Sequence, residues 1–301
     1  MMAAVIGLGG PITGAAAQSQ SVAYDLPIVT PGQQPVRLHI EEFGAGPPLV
    51  LLHGMAGSGY SFRRIIGPLS RTHRVITIDL KGFGASEKPF DRAYAPADQA
   101  RLVAGFLRQR RLHGVTLAGH SYGGAVALMT SLQLQRSEPG RIRRLVLMNA
   151  PAYPQAMPHA QHLLTLPVLP HLGLAIVPPI LSARAALKST RPGAAAVDDR
   201  DAIAYAEPLY EVGGRHALIA TAQIMAAYDG ADAIPRYRTL ALPTLLIWCR
   251  NDPTVPLSTG QRLASALPNA RLSVLETCEH APAEEQPGET VALISRFAAS
   301  R

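Results

Sequence analysis

The chain has 301 residues, of which 48% are hydrophobic and 16% charged. That is enough apolar surface to bury a core and too little charge for wholesale disorder. Its 26 glycines and 26 prolines follow no period, which excludes collagen-like and solenoid architectures. The net charge of +7 raises the question of nucleic acid, but the 25 arginines are scattered apart from short groups such as Arg108, Arg110 and Arg111. Only 5% of residues are aromatic, so stacking platforms are few and no nucleic-acid partner is expected. Two cysteines, Cys249 and Cys278, are too few for a disulfide framework or a zinc knuckle.

Residues 1–20 are rich in Ala and Gly and carry no charge. The run Ala15-Ala16-Ala17-Gln18 resembles the end of a secretory signal with a small-residue cleavage site. Against that, the first basic residue is Arg37, and Pro11 with Gly7, Gly9, Gly10 and Gly14 weakens a helix. Cytoplasmic residence and export of a chain cleaved near residue 17 both stay open. The segment is set apart from the fold as signal-like or disordered.

From Val36 onward, short apolar runs alternate with helical patterns, as in a mainly parallel sheet wound by helices. Strands are expected at Val36–Glu41, Leu49–Leu52, Arg74–Asp79, Val115–Ala118, Ile142–Met148, Thr244–Trp248 and Leu272–Leu275. Several are apolar throughout, which suits strands covered on both faces. Helices are expected at Tyr60–Leu69, Pro96–Arg110, Tyr122–Leu134, Ser258–Ala266 and Glu289–Ala298. The alternation stops between Ala150 and about Leu242. This divides the chain into a core from 21 to 150, a helical cap from 151 to 235, and the rest of the core from 236 to 301. Ala202–Leu209 and His216–Tyr228 are the clearest cap helices. The stretch Leu163–Leu181 is nearly all apolar and long enough for a membrane span, but Pro167, Pro170, Gly173, Pro178 and Pro179 break it. No stable membrane insertion is expected. The stretch reads as a lid packed on the core, compatible with an apolar roof over a substrate.

The strongest chemical signal is Gly119-His120-Ser121-Tyr122-Gly123-Gly124, between an expected strand and an expected helix. A G-x-S-x-G turn in that setting is a nucleophile elbow, with small residues where strand and helix close together. Serine needs a base, itself oriented by a third group. Parallel strands all end at one edge, so the partners should follow later strands. Cys249-Arg250-Asn251-Asp252-Pro253 follows one, and Glu276-Thr277-Cys278-Glu279-His280 follows another. Ser121, Asp252 and His280 then make a catalytic triad in the chain order recorded for α/β-hydrolases. Glu276, Glu279, Glu284 and Glu285 are further carboxylates, and Asp252 is preferred because it lies just past its strand. No carboxylate pair for glycoside chemistry stands out. No metal or cofactor is expected, since the ten histidines do not cluster and His159 with His162 reads as loop or lid surface.

With these motifs in place the chain resembles the α/β-hydrolase superfamily, in its capped branch of esterases, epoxide hydrolases, haloalkane dehalogenases and C–C bond hydrolases. Four segments carry the likeness from about Val36 to Phe297: His53-Gly54-Met55-Ala56-Gly57-Ser58, Asp79-Leu80-Lys81-Gly82-Phe83-Gly84-Ala85-Ser86, the elbow, and His280 through Pro287. The resemblance implies an α/β-hydrolase fold with a helical cap after the sixth strand. It also implies an oxyanion hole from the backbone N–H groups of Met55 and Tyr122. His53, Gly54 and Asp79 become structural, and His120 a packing or lining residue.

Ser121 stands where epoxide hydrolases and dehalogenases place Asp, and Asn149 cannot serve as an acid after the sixth strand. The Trp that C–C bond hydrolases usually carry after the histidine is replaced by Ala281 and Pro282. Glu279 stands where the family generally has Gly, which puts the loop conformation or an added charge near the imidazole in question. Cys249 and Cys278 would close neighbouring strands at nearly the same depth. Buried free thiols are the preferred reading, and a disulfide is the alternative if the protein is exported. The expected activity is hydrolysis of a small-to-medium hydrophobic carboxylic ester through an acyl-enzyme. A C–C hydrolase of a diketone-like substrate and a ligand-binding receptor on a hydrolase scaffold are the alternatives. Nothing in the pattern sets an oligomeric state.

Overall fold

The run Pro48–Leu52 forms a strand whose last four residues are buried in the middle of an eight-stranded sheet. The structure is a computed structural model that describes residues 21–155, 163–166, 169–193 and 197–300. The signal-like segment and the pair His159 and His162 lie outside the described residues.

In chain order the strands are β1 (Ser21–Ile28), β2 (Val36–Phe43), β3 (Pro48–Leu52), β4 (Arg74–Ile78), β5 (Val115–His120), β6 (Ile142–Met148), β7 (Thr244–Cys249) and β8 (Ala270–Leu275). They lie in the order β1-β2-β4-β3-β5-β6-β7-β8. All pairs from β4 to β8 are parallel, and β1 and β2 add an antiparallel edge. The mostly parallel sheet expected from the alternation is therefore present.

Successive strand residues face opposite sides, so one strand feeds two cores. Val50 and Leu52 join Leu117, Leu147 and Trp248 beneath α2 (Pro96–Gln109), α3 (Tyr122–Ser137) and α8 (Leu257–Ala266). Leu49 and Leu51 join Ala118, Val146 and Ile247 beneath α1 (Arg63–Ser70) and α9 (Pro287–Ala299). Helix α3 is apolar nearly all round its first three turns, and those residues are buried, as such a pattern requires.

Between β6 and β7 the chain leaves the sheet and forms α4 (Leu169–Ile176), α5 (Pro179–Thr190), α6 (Asp199–Tyr210) and α7 (Gly214–Ala226). The long apolar stretch thus holds α4 and the first turn of α5, with a break at Val177-Pro178. Pro179 opens α5 at its first position, where its missing N–H is harmless. Among the described residues, no helix is long and apolar enough to cross a membrane.

One strand was not anticipated. In β1, Tyr24, Leu26 and Ile28 alternate with exposed Ala23, Asp25 and Pro27, a period-two signal in a part of the core to which no strand was assigned. A Pro is tolerated there because β1 is an edge strand.

Candidate active site

The parallel registers bring the carboxyl ends of β3, β5, β6 and β7 to one rim. Leu52 pairs with Gly119, His120 with Met148, and Met148 with Ile247. The residues immediately beyond these ends, among them His53, Ser121 and Asn149, are neighbours for that reason.

Ser121 sits at the turn from β5 into α3 with φ 51° and ψ −124°, a conformation that costs a non-glycine residue about 1–3 kcal/mol. The glycines make the turn possible. A Cβ on Gly119 would lie 2.2 Å from the Gly123 carbonyl oxygen, and one on Gly123 would lie 2.3 Å from that of Leu52.

The structure brings the three predicted side chains together. His280 Nε2 lies 3.1 Å from Ser121 Oγ, and His280 Nδ1 lies 2.8 Å from Asp252 Oδ2. Asp252 is buried and its Oδ1 accepts from the N–H groups of Thr254, at 2.7 Å, and Val255, at 2.9 Å. Its Oδ2 also accepts from Asn149 Nδ2 at 2.5 Å, and Asn149 holds a left-handed φ of 46° to reach it. Asp252 accepts from Nδ1–H of His280, the tautomer that leaves Nε2 free to accept from Ser121.

The main chain around His280 is held as firmly as its ring. Glu285 Oε1 accepts from the N–H of His280 at 3.0 Å and of Ala281 at 2.6 Å, while Oε2 accepts from Glu279 N–H at 2.9 Å. The His280 carbonyl accepts from Nε2–H of His120 at 2.8 Å. Glu279, the departure noted at the glycine position, turns its carboxylate to the N–H of Gly193 between α5 and α6.

Cys249 and Cys278 are joined in a disulfide, so the preferred reading of free thiols is corrected. Cys249 ends β7 and Cys278 lies three residues past β8. The alignment of parallel β7 and β8, which pairs Cys249 with Leu275, brings their Cα atoms to 5.0 Å. Sequence spacing alone does not determine that register.

His53 and Asp79, expected to be structural, both bind main-chain groups of neighbouring loops. His53 is fully buried, its Nδ1–H donating to the Gly54 carbonyl and its Nε2 accepting from Leu80 N–H. Burial holds its pKa below the ordinary value. Asp79 accepts from the N–H groups of Gly59 and Ala85 and so ties the loop after β4 to the one after β3.

Beside Ser121 opens a cavity of about 430 Å³ between the sheet rim and the inserted helices. Leu164, Leu174, Val177, Leu187, Leu209 and Leu218 form much of its wall, and Met55 lines it near the nucleophile. Among the described lining residues the lysine, arginine and carboxylate side chains are Arg191 and Glu284, and these two pair at 3.1 Å. Glu284 also takes a 3.3 Å contact from Arg63 and accepts from the Tyr205 hydroxyl at 2.5 Å. Burial first, then the Glu284 charge, holds the Tyr205 phenol well above its ordinary pKa, so it stays a neutral donor. Among the described residues, no group of three or more His, Cys, Asp or Glu side chains is placed to hold a metal ion.

The sequence reading missed Asn149 and Glu285 as partners of the triad and treated His120 as lining. His120 does line the cavity, but its ring nitrogen also binds the His280 loop.

A nucleophile elbow at the carboxyl edge of a doubly covered, mostly parallel sheet defines the α/β-hydrolase class. The model of the alpha/beta hydrolase family matches residues 49–293, and the chain belongs to that family. A 2-hydroxy-6-oxo-2,4-heptadienoate hydrolase of Pseudomonas putida is 28% identical over 283 residues, covering 88% of this chain and 94% of the relative. Two solved structures share the fold. A thermophilic esterase from Thermogutta terrifontis superposes with a TM-score of 0.75 at 22% identity, covering 91% of this chain and 98% of its own. The 2-hydroxy-6-oxo-6-phenylhexa-2,4-dienoate hydrolase of Rhodococcus sp. strain RHA1 superposes with 0.76 at 22% identity, covering 94% and 100%.

Proposed function

We propose that the protein is a serine hydrolase that cleaves a carboxylic ester of hydrophobic character through an acyl-enzyme. One observation carries this reading: the hydrogen-bonded line from Asp252 through His280 to Ser121 opens onto a largely apolar cavity. His280 takes the Ser121 proton as Ser121 attacks the carbonyl, and Asp252 stabilises the imidazolium. The N–H groups of Met55 and Tyr122 hold the developing oxyanion, aided by the N-terminus of α3. His280 returns the proton to the leaving alcohol, then takes one from the water that releases the acid.

The cavity wall favours a substrate without net charge. Arg191 is already matched by Glu284, so a substrate carboxylate placed there would compete with an internal partner. The second reading, cleavage of a carbon–carbon bond in a diketone-like substrate, is supported by the Pseudomonas putida relative. The inserted helices serve as the cap in either case.

Turnover of p-nitrophenyl esters and of a diketone-like dienoate, with fluorophosphonate labelling, separates the readings. The ester reading expects ester turnover that is lost in Ser121→Ala, with Ser121 the labelled residue. Dienoate turnover exceeding ester turnover favours the second, and labelling without either favours a receptor. The disulfide supports an oxidising compartment and hence a cleaved leader. A native protein whose N-terminus is still Met1 would overturn that proposal.

A further inference from the structure

We propose that His120 is a positioning residue for the catalytic base: it ties the chain at the nucleophile to the main chain of His280. The proposal rests on the serine-hydrolase reading. His280 lies in a loop five residues beyond the end of β8, where no strand pairing sets its main chain. Its carbonyl accepts from His120 Nε2–H at 2.8 Å, across 160 residues of sequence. His120 ends β5 in register with Met148 and immediately precedes Ser121. One side chain therefore carries the position of β5, and with it the elbow, directly to the backbone of the base.

The surroundings of His120 suit this role. Its ring packs against that of His280 with centroids 5.0 Å apart. A Cβ on Gly54 would come within 3.3 Å of His120 Nδ1, so the ring is confined from the β3 side as well. A neutral donor is required next to a base that becomes cationic in each half-reaction. Burial first, and the neighbouring His280 second, push the His120 pKa from 6.5 down to about 3 and keep the ring uncharged. Glu285 holds the N–H side of His280 and His120 the carbonyl side. Removing the second takes away the side-chain donor to the His280 carbonyl, so that the peptide can tilt about the contacts on its N–H side. Near-attack geometry is steep enough that a misplacement of about 1 Å costs on the order of 10² in rate.

The test compares His120→Leu, which fills the space without a donor, with His120→Gln, whose side-chain amide keeps one near the Nε2 position. On the ester turned over by the wild type, His120→Leu is expected to lose about tenfold to a hundredfold in kcat with KM within about twofold. The rate of Ser121 labelling by fluorophosphonate falls in parallel, and His120→Gln recovers most of both. Wild-type kcat in His120→Leu, or equal losses in the two variants, overturns the proposal. Should His120→Leu fail to fold, His120→Met against His120→Gln makes the same comparison. A wild-type protein that neither turns over substrate nor labels defeats the serine-hydrolase reading instead, a result distinct from any difference among the variants.

Discussion

Cys249 and Cys278 form a disulfide that ties the end of β7, three residues before Asp252, to the loop carrying His280, two residues further on. Both cysteines are fully buried. Two of the three side chains of the proposed triad, Asp252 and His280, thus hang from one covalent link.

Denatured, unreduced protein should show no reactive thiol, and two after reduction. Replacing both cysteines with Ala should lower stability by about 3–4 kcal/mol, from the entropy of closing a loop with a sequence separation of 29. Chemical denaturation measures the loss. Thiol titration showing two reactive groups before reduction would exclude the link.

Asn149 and His280 share one oxygen of Asp252. Asn149→Asp puts a second carboxylate against the first, and the added negative charge favours protonated His280. The acid limb of the pH profile of kcat/KM should move upward, with a loss of activity near neutrality of about tenfold or more. An unmoved limb would show that Asn149 does not act on the base through Asp252.

The elbow tolerates no side chain at its second glycine. In Gly123→Ala the new methyl would meet the carbonyl oxygens of Leu52 and His53 at 2.3 and 2.4 Å, main-chain atoms of a central strand and its continuation. Overpacking of this kind costs about 1–3 kcal/mol or more. The variant should melt lower and lose activity, whereas Gly140→Ala, with nothing within 4 Å but a positive φ, should melt slightly lower and stay active. Melting curves and ester turnover of the pair check this.

Acid should destabilise the fold through the histidines that it keeps neutral. His120 binds its proton only near pH 3 when folded but near 6.5 when unfolded, so the unfolded chain takes up the extra proton between those values. Stability is full above 6.5 and falls as pH drops through that window, by up to about 1.4 kcal/mol per pH unit for His120. His53 and His73, both with lowered pKa, add in the same direction. His120→Gln should flatten the slope of melting temperature against pH between 3 and 6.5. An unchanged slope would mean that His120 is not kept neutral.

Much of this molecule is legible in its residues. The apolar runs that became β3 to β8 and the helices between them follow from buried strands and amphipathic periodicity. The glycines around Ser121 announce a corner too tight for side chains. Strand β1 escaped because its alternation is carried by few residues next to a segment with no structural pattern. Helix α4 and the start of α5 were hidden in one apolar run, since composition shows neither where the run folds back nor that Leu163, Ile176, Val177 and Leu181 stay exposed. Glu285 and Asn149 were seen as a carboxylate and an amide near the site. Their partners depend on loop paths for which sequence carries no periodic signal.

By itself, the sequence determined the class of sheet, the elbow, and the identities and order of Ser121, Asp252 and His280, because these follow from local patterns and from where parallel strands must end. Only the tertiary structure decided that Cys249 bonds Cys278, that His120 holds the carbonyl of His280, and that Glu284 neutralises Arg191 in the cavity wall. Those contacts join residues 29, 160 and 93 positions apart. Their formation depends on strand register and loop closure to within about an ångström, a condition that hydrogen-bond geometry imposes and residue type does not encode.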